Sequence, residues 1–438
     1  MVMGEIAREY DVAVLGSGPA GYMAALRSAQ LGMSTLLVER RNVGGCCLNE
    51  GCIPSKTLLN TASGIEGLRH LKRMGIGLGE PKISMGKMQK ENKMIIEKLR
   101  GGIIGLLRRS GVALVQGEAR LESSTFMHIK TAKGEESAKF RKAVIAAGSE
   151  PIFPPGIKRG KRIITSDEAL FLEKVPKRLA IIGAGYIAAE LGTFYSVMGS
   201  EVHVLARSRL LSHIEKDLVS EVLKKSSMHV HAKTTINSVE EGRSGVSVSF
   251  SSEGKRSTLK ADILVVAIGR GPRTSGIGLE NTRVKLNERG FISVNEKMQT
   301  HEPNIYAAGD VVDEPMLAHK AFAQGRVAAE AAVGIKGAAF DPVSIPAVVF
   351  TIPEIATVGM SEEEARGKGY DAMSIKFPLT ALGRVAANGG TDGFVRLVYE
   401  RSGRLLGARM VGKGISELLG EAGLAIEMGA FLEDVEAT

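Results

Sequence analysis

The chain is poor in cysteine, which limits what its sulfur atoms can do. Three cysteines occur among 438 residues, and all of them lie within residues 46–52. Three cysteines cannot build a disulfide framework for a protein of this size, and a clustered pair is more often catalytic or metal-binding than structural. We therefore expect a cytoplasmic protein from a reducing compartment, with a reactive site at the cysteine segment.

Long apolar runs and a recognisable leader are also lacking. No run reaches the ~18 uncharged apolar residues of a membrane-spanning helix. Glu5, Arg8 and Glu9 precede the first apolar run, where a signal peptide would carry a basic region. The net charge is +9, but the basic residues are scattered, and the densest run, at 158–162, is typical of a solvated loop. The sequence predicts neither membrane insertion nor nucleic-acid binding.

A glycine-rich pattern stands at the start of the chain. Residues 11–40 read DVAVLGSGPAGYMAALRSAQLGMSTLLVER, which is the dinucleotide fingerprint in its β-turn-α-β setting. Gly16 permits the tight turn, Gly18 lets the backbone approach a pyrophosphate, and Gly21 allows helix and strand to pack closely. Glu39 ends the second apolar run, where a carboxylate can bind ribose hydroxyls. The helix N-terminus favours the phosphates, so this segment predicts a nucleotide site.

The same layout recurs at residues 178–207, with Gly183, Gly185 and Ala188 in the three fingerprint positions. An alanine at the third position still permits close packing. Two dinucleotide sites in one chain predict electron transfer between two cofactors. A duplicated fold kept for structure alone is the alternative.

The second copy differs at the position that would contact the ribose. Ala206 stands where the first copy has Glu39, and Arg207 and Arg209 follow. A carboxylate repels a 2′-phosphate, whereas an arginine pairs with it. These residues favour NADP over NAD, although the two arginines could also be ordinary loop charges.

The cysteine segment follows the first fingerprint directly. Cys47 and Cys52 are five residues apart, and a regular helix would separate them by a rise of ~7.5 Å, beyond the ~7 Å reach of a disulfide. A bridge would need a distorted turn, for which Gly51 supplies backbone freedom. A zinc site lacks a second ligand cluster, and a structural disulfide is poorly motivated in a reducing compartment. The pattern favours a reactive dithiol/disulfide pair beside a nucleotide, with Cys46 as a bystander.

The segment GGCCLNEGCIPSK, residues 44–56, resembles the redox-disulfide motif of the flavin-dependent pyridine-nucleotide disulfide oxidoreductases. Within that family, its CLN-GCIPSK pattern is most similar to the dihydrolipoamide dehydrogenases. The resemblance continues along nearly the whole chain through the blocks VIAAGS (144–149), VVAIGR (265–270), NIYAAGDV (304–311), MLAHKA (316–321) and IPAVVFTIPEIATVG (345–359).

This resemblance implies the cofactors and their contacts. The first fingerprint would bind FAD, with Glu39 on the adenosine ribose, and the second would bind NAD or NADP. Further FAD-site residues would be Gly45, Lys56, Gly117, Gly148, Asp310 and Ala318. The nicotinamide site would include Gly183, Gly185, Glu190, Arg207 and Gly269.

The resemblance also implies the electron path. A substrate dithiolate would attack Cys47, and Cys52 would pass two electrons to FAD, which would reduce NAD(P)+. Lys56 and Glu190 would pair close to the flavin and close the site until nicotinamide enters. The expected catalytic residues are therefore Cys47, Cys52, Lys56 and Glu190, and no metal is expected.

The expected fold class is α/β, with two Rossmann-like dinucleotide-binding domains and a C-terminal α/β dimerisation domain. The expected domains are an FAD domain at 1–148, with a helical insert around 84–109, a nicotinamide domain at 149–270, a return segment at 271–340 and an interface domain at 341–438. A homodimer is expected, acting on a small-molecule or lipoyl dithiol, with a 2-oxo acid dehydrogenase complex or a glycine cleavage system as a possible assembly.

One part of the family pattern is missing. The family places a histidine–glutamate pair near the C-terminus of the partner subunit, whereas the last histidine here is His319. We expect a C-terminally truncated chain. Three other hypotheses remain open: a mercuric reductase-like enzyme that uses NADPH, a glutathione reductase-like enzyme, and a flavin-binding scaffold without turnover. The segment VLARSRLL (204–211) resembles the first of these.

Overall fold

A computed structural model describes residues 8–77, 79, 81–389 and 393–438. Glu5, one of the charged residues that precede the first apolar run, lies outside the described residues. The strands are β1 (Arg8–Leu15), β2 (Thr35–Glu39), β3 (Ala113–Ser123), β4 (Phe126–Thr131), β5 (Gly134–Ile145), β6 (Ser149–Pro151), β7 (Ile163–Thr165), β8 (Arg178–Ile182), β9 (Glu201–Leu205), β10 (His229–His231), β11 (Thr234–Glu241), β12 (Val246–Ser252), β13 (Lys255–Ala261), β14 (Ile263–Val266), β15 (Arg270–Pro272), β16 (Ile305–Ala307), β17 (Ala347–Val349), β18 (Glu354–Gly359), β19 (Ala372–Pro378), β20 (Phe394–Glu400) and β21 (Leu405–Gly412).

In the described part of the chain, α-helices lie between these strands and after the last of them. They are α1 (Pro19–Gln30), α2 (Gly45–Glu50), α3 (Cys52–Arg73), α4 (Met85–Arg109), α5 (Ser166–Ala169), α6 (Tyr186–Val197), α7 (Lys216–Lys225), α8 (Ala318–Ala332), α9 (Glu362–Gly367), α10 (Gly383–Ala387), α11 (Leu419–Glu427) and α12 (Leu432–Glu436). The helix expected around 84–109 is α4. Among the described residues, no helix combines the length and the apolar character needed to cross a membrane.

The chain forms two compact units. The first unit comprises Met1–Pro54, Lys90–Pro151 and Arg270–Asp341, and the second comprises Ser55–Gln89, Ile152–Gly269 and Pro342–Thr438.

A parallel sheet forms the centre of the first unit. Its strands pair in parallel in the order β3-β2-β1-β5-β16, and β4 pairs antiparallel with both β3 and β5. The apolar run that ends β1 is almost fully buried, as expected for a strand covered on both faces. Helices α1 and α8 pack against each other, and Gly325 of α8 comes so close to α1 that a Cβ there would lie 2.2 Å from the Ala20 oxygen.

The second unit contains another parallel sheet, in the order β10-β9-β8-β14-β7, and a small antiparallel sheet of β11, β12 and β13. Its C-terminal part is an antiparallel sheet in the order β17-β18-β21-β20-β19, with α11 packed on β18 and β21. The predicted α/β class is confirmed, because each fingerprint follows a strand of its own parallel sheet. The exact domain limits stay a prediction.

Candidate active site

The first glycine turn has no room for side chains at two of its three positions. Gly16 has φ +95°, and a Cβ there would lie 2.4 Å from the carbonyl oxygen of Ala146. A Cβ on Gly21 would lie 1.8 Å from the oxygen of Gly16. These contacts show that the turn and the first helix are packed as tightly as the fingerprint predicts.

Gly18 has a different reason to be glycine. The nearest atom to a Cβ at this position would be 3.9 Å away, so the protein itself would tolerate a side chain. Gly18 is the N-cap of α1, and among the described residues no side chain caps this helix end. The backbone N–H groups and the positive end of the helix dipole are therefore available to an anion, and the missing Cβ lets a pyrophosphate come close. The residues present fit a dinucleotide.

Glu39 lies beside the same glycine turn. It is buried at the end of β2, and its carboxylate accepts hydrogen bonds from the Ser17 N–H (2.9 Å), the Ser17 hydroxyl and the Arg41 N–H (2.7 Å). These bonds fix the carboxylate beside the glycine turn. A carboxylate can accept about four hydrogen bonds, which leaves capacity for a ribose hydroxyl.

The second glycine turn repeats the geometry of the first. Gly183 has φ +130°, and a Cβ there would lie 2.1 Å from the carbonyl oxygen of Ala267. Gly185 is the N-cap of α6, and no described atom lies within 4 Å of a Cβ built on it. Ala188 is fully buried on α6. The second unit therefore contains a cradle that fits another dinucleotide.

The two arginines after Ala206 differ in their environments. Arg207 is exposed, whereas the Arg209 guanidinium donates to the carbonyl oxygens of Leu211 (3.0 Å) and Ser212 (2.8 Å), and also to that of Ile214. Arg209 thus holds its own loop together. Of the two, Arg207 is the cation available for a ligand.

The cysteine segment does not continue as one helix. Cys46 and Cys47 lie on α2, and α3 begins at Cys52. Gly51 between them has φ −143° and ψ −104°, which is not helical. The break supplies the distorted turn that a Cys47–Cys52 bridge would need. A Cβ on Gly51 would lie 3.1 Å from the Cys46 oxygen, so the chain folds closely on itself here.

An asparagine inside the motif holds this turn. The Asn49 side-chain amide donates to the oxygens of Val43 (3.1 Å) and Gly45 (2.8 Å). Its own oxygen accepts two hydrogen bonds from Arg100, at 2.7 and 3.1 Å. Asn49 lies within the CLN-GCIPSK pattern, but the pattern alone does not reveal its role in holding the turn. Arg100 could not be found from sequence, because it is far away along the chain.

Cys47 lies close enough to Tyr22 to act on it electrostatically. Burial raises the pKa of the Tyr22 phenol to about 12, and the nearby Cys47 adds a smaller electrostatic contribution. Tyr22 itself packs edge-on against Phe322, with ring centroids 5.5 Å apart. The first unit therefore places Cys47 beside a helix that starts at the nucleotide turn.

The structure brings Lys56 and Glu190 together within the second unit. The Lys56 Nζ lies 3.0 Å from the Glu190 Oε2, and the same carboxylate accepts hydrogen bonds from the Ser55 hydroxyl (2.9 Å) and the Phe350 N–H (3.1 Å). The Glu190 side chain is only 5% exposed. Such partners offset the cost of removing a carboxylate from water. The Lys56 Nζ also lies 4.5 Å from the Phe350 ring centroid.

Asp310 belongs to a polar network of the first unit. Its Oδ2 accepts a hydrogen bond from the Ser149 hydroxyl at 2.7 Å, and the Arg270 side chain donates to that hydroxyl at 3.0 Å. The preceding Gly309 has φ +83° and donates its N–H to the Gln324 side chain. Asp310 is therefore oriented by neighbours that the sequence did not reveal.

The remaining expected cofactor residues are placed as follows. Gly45 has φ +62° and packs against Gly18, since a Cβ on it would lie 2.6 Å from the Gly18 Cα. Gly117 is tight against β4, which explains its glycine by packing alone. Gly148 and Gly269 have positive φ and open space around a Cβ, and Ala318 begins α8.

Comparison with known proteins assigns the family. Residues 10–325 match the model described as pyridine nucleotide-disulphide oxidoreductase, and residues 345–438 match the dimerisation domain of the same family. The dihydrolipoyl dehydrogenase of Geobacillus stearothermophilus is 41% identical over 100% of this chain and 94% of that protein. The dihydrolipoyl dehydrogenase of Haemophilus influenzae is 41% identical over 98% of this chain and 91% of that protein.

A solved structure supports the same fold. The Cu(II) complex of the HOCl-induced flavoprotein disulfide reductase RclA from Escherichia coli is similar with a TM-score of 0.88 at 24% identity. The match covers 98% of this chain and 96% of that chain.

These matches extend over both fingerprints, the cysteine segment and the C-terminal sheet. They confirm the family that the sequence motifs indicated. The chain belongs to the pyridine nucleotide-disulphide oxidoreductase family.

Proposed function

We propose that this flavoprotein disulfide oxidoreductase oxidises a dihydrolipoyl dithiol, with Cys47 and Cys52 as its redox pair. The observation that carries the proposal is the break at Gly51, which puts the two cysteines on separate helices next to a nucleotide turn. Relatives named dihydrolipoyl dehydrogenase, about 40% identical along the whole chain, support the substrate class. They favour it over the mercuric reductase-like, glutathione reductase-like and scaffold hypotheses.

The sulfur chemistry proceeds by thiol–disulfide exchange. A substrate thiolate attacks the Cys47 sulfur, the Cys47–Cys52 bond breaks, and Cys52 leaves as a thiolate. The second substrate thiolate then attacks the substrate sulfur of the mixed disulfide, which closes the substrate disulfide and releases Cys47 as a thiolate. Two electrons have passed to the protein dithiol, and the two substrate thiol protons have passed to solvent.

The family implies FAD and a nicotinamide nucleotide, and bound FAD supplies the two-electron acceptor while NAD(P)+ supplies the hydride acceptor. The first fingerprint, with Glu39, would hold FAD, and the second would hold the nicotinamide nucleotide. Gly45, Gly117, Gly148, Asp310, Ala318 and Gly269 remain the further proposed contacts. The proposed role of the ion pair between Lys56 and Glu190, in which the carboxylate is buried and the lysine is partly exposed, is to close the site until the nicotinamide enters.

We further propose that NADP(H) is used at least as well as NAD(H). Ala206 offers no carboxylate to repel a 2′-phosphate, and Arg207 is exposed next to it. Arg209 does not support this proposal, because its guanidinium already donates hydrogen bonds to carbonyl oxygens of its own loop.

A homodimer is the proposed assembly. The region that matches the dimerisation domain exposes large apolar side chains, with Leu424 at 64% and Met428 at 75%. Such a patch is typical of a surface that a second copy covers. A lipoyl-bearing enzyme complex in the cytoplasm is the proposed setting.

The test is turnover of dihydrolipoamide by FAD-loaded protein with NAD+ and NADP+. Cys52→Ser is expected to abolish dihydrolipoamide oxidation and to retain reduction of artificial acceptors by the nicotinamide. Cys46→Ser is the matched control and is expected to keep both activities. Undiminished dihydrolipoamide turnover by Cys52→Ser would overturn the proposal.

A further inference from the structure

A polar stripe lies on one face of the second unit's parallel sheet, away from the glycine turn. Strand β10 pairs in parallel with β9, with His229 opposite His203. Side chains alternate between the faces of a strand, so Glu201 and His203 share one face of β9. By the same alternation, His229 and His231 extend this face on β10. Three imidazoles and a carboxylate therefore gather at the sheet edge.

The distances within this group are short. The His203 Nε2 lies 2.9 Å from the Glu201 Oε1, and the His203 Nδ1 lies 3.0 Å from the His231 Nε2. The His203 ring stacks on those of His229 and His231, with centroids 4.8 and 5.3 Å apart. One ligand atom from each of Glu201, His203 and His229 lies within 4.8 Å of the others.

We propose that Glu201, His203 and His229 form a binding site for a late first-row divalent cation. Bonds of ~2.0–2.1 Å bring the ligands of a tetrahedral site to about 3.3 Å from one another, so the largest separation in the group, at most 4.8 Å, must shorten by about 1.5 Å. Glu201 and His229 are exposed and can rotate, whereas the His203 side chain is only 13% exposed and supplies the fixed ligand.

In two of the three proposed ligands, Glu201 and His203, the atoms that face away from the cation already have partners. Arg178 holds the Glu201 Oε2 at 2.9 Å, which leaves Oε1 to face His203. His231 holds the His203 Nδ1 and thereby directs Nε2 toward Glu201, and Phe250 packs edge-on against His231. Partners of this kind orient metal ligands and fix the imidazole tautomer, so His231 is a positioning residue.

The donor set selects the class of cation. Two imidazole nitrogens and one carboxylate suit Cu(II), Ni(II) and Zn(II), and Cu(II) binds most tightly in such sites. Mg(II) and Ca(II) require several oxygen ligands, which these side chains do not supply. Binding is expected in the order Cu(II) before Zn(II), and open coordination positions are left for water.

The test uses untagged, FAD-loaded, oxidised protein, so that the cysteines compete as little as possible. Cu(II) and Zn(II) are each titrated by equilibrium dialysis with a competing chelator. The wild type is expected to bind one ion per chain at this site. His229→Ala and Glu201→Gln are expected to weaken binding at least 10-fold, and His203→Ala to abolish the site.

The matched control is His128→Ala, which removes an exposed imidazole from the first unit, and it is expected to leave affinity unchanged. His231→Ala is expected to shift the nitrogen couplings in the Cu(II) electron paramagnetic resonance spectrum, and His231→Gln to restore them. The flavin absorbance spectrum checks the fold of each variant. Unchanged binding by His229→Ala and Glu201→Gln would overturn the proposal, as would an equal loss with His128→Ala.

Discussion

The two glycine turns share a backbone geometry and differ in the side chains proposed to recognise their ligands. In each, the first glycine has a positive φ and lies against the carbonyl of a residue that follows a neighbouring parallel strand, Ala146 in one case and Ala267 in the other. In each, the second glycine has no protein neighbour that requires it. The copies diverge at the third position and at the position proposed to contact the ribose, where Ala206 stands in place of Glu39. The turn geometry is thus shared by both copies, whereas the residue proposed to contact the ribose differs between them.

The largest expected effect on stability and FAD content comes from changing the third fingerprint position, which is Gly21 in the first copy and Ala188 in the second. Gly21→Ala would place a Cβ 1.8 Å from the Gly16 backbone oxygen, so the helix must move. We expect a loss of stability of roughly 1–3 kcal/mol or more and severe loss of bound FAD. Ala188→Gly, at the matching position, is expected to cost only about 1 kcal/mol and to keep FAD.

Thermal unfolding and the flavin-to-protein absorbance ratio check this pair of variants. Gly21→Ala with normal FAD content and stability would show that the close approach of helix and strand is not required.

A second pair of variants separates the two cofactors. Valine at Gly18 or Gly185 meets no close protein atom at Cβ, but it blocks the approach of a pyrophosphate. Gly18→Val is expected to lower the affinity for FAD by more than about 10-fold, which is equivalent to ~1.4 kcal/mol. Gly185→Val is expected to keep FAD and to raise the KM for the nicotinamide nucleotide.

Flavin content and steady-state kinetics measure the two effects. If Gly18→Val keeps its flavin, the first fingerprint is not the FAD site, and the assignment of the two turns must be reversed.

A third variant places a glutamate at Ala206, the position that matches Glu39 of the first copy. It tests whether this position determines the choice between NADP(H) and NAD(H). Ala206→Glu is expected to shift the ratio of kcat/KM values for NADPH and NADH toward NADH by about 10-fold, or ~1.4 kcal/mol. The reason is repulsion between the new carboxylate and a 2′-phosphate. A wild-type preference for NADH above about 10-fold would contradict the argument from Ala206 and Arg207.

The smallest expected effect concerns Tyr22 on the helix after the first turn. Its pKa is raised to about 12, mainly by burial. The folded state therefore holds the phenol proton more tightly than the unfolded state, whose pKa is about 10. The resulting stability is present below pH 10 and is lost as the pH rises toward 12.

Tyr22→Phe removes this titration. Between pH 10 and 12 the free energy of unfolding, measured with urea, is expected to fall less steeply in Tyr22→Phe than in the wild type. Equal slopes in the two proteins would contradict the assignment of the raised pKa to Tyr22.

Local patterns predicted the fold better than they predicted the polar contacts. The fingerprints could be recognised from sequence because Gly16, Gly18 and Gly21 lie close together along the chain. Their spacing therefore determines the local turn geometry. The partners of Asn49 and Asp310 could not be predicted, because Arg100 and Ser149 reach them from distant parts of the chain.

Two further features required the fold. The sequence favours Arg209 as a phosphate ligand, but in the structure the following loop turns back and places its carbonyl oxygens around the guanidinium. The histidines of β9 and β10 form a group only because the two strands pair in one particular register. That register cannot be predicted from a local sequence pattern.

Cys47 and Cys52, and not Cys46, are proposed to store electrons beyond those held by the flavin. Anaerobic reductive titration of purified protein, followed by flavin absorbance, measures the number of electrons taken up per flavin. The account predicts that the wild type and Cys46→Ser accept two electrons more than the flavin alone, and that Cys47→Ser and Cys52→Ser do not. Loss of the extra electrons in Cys46→Ser, with their retention in Cys47→Ser, would contradict it.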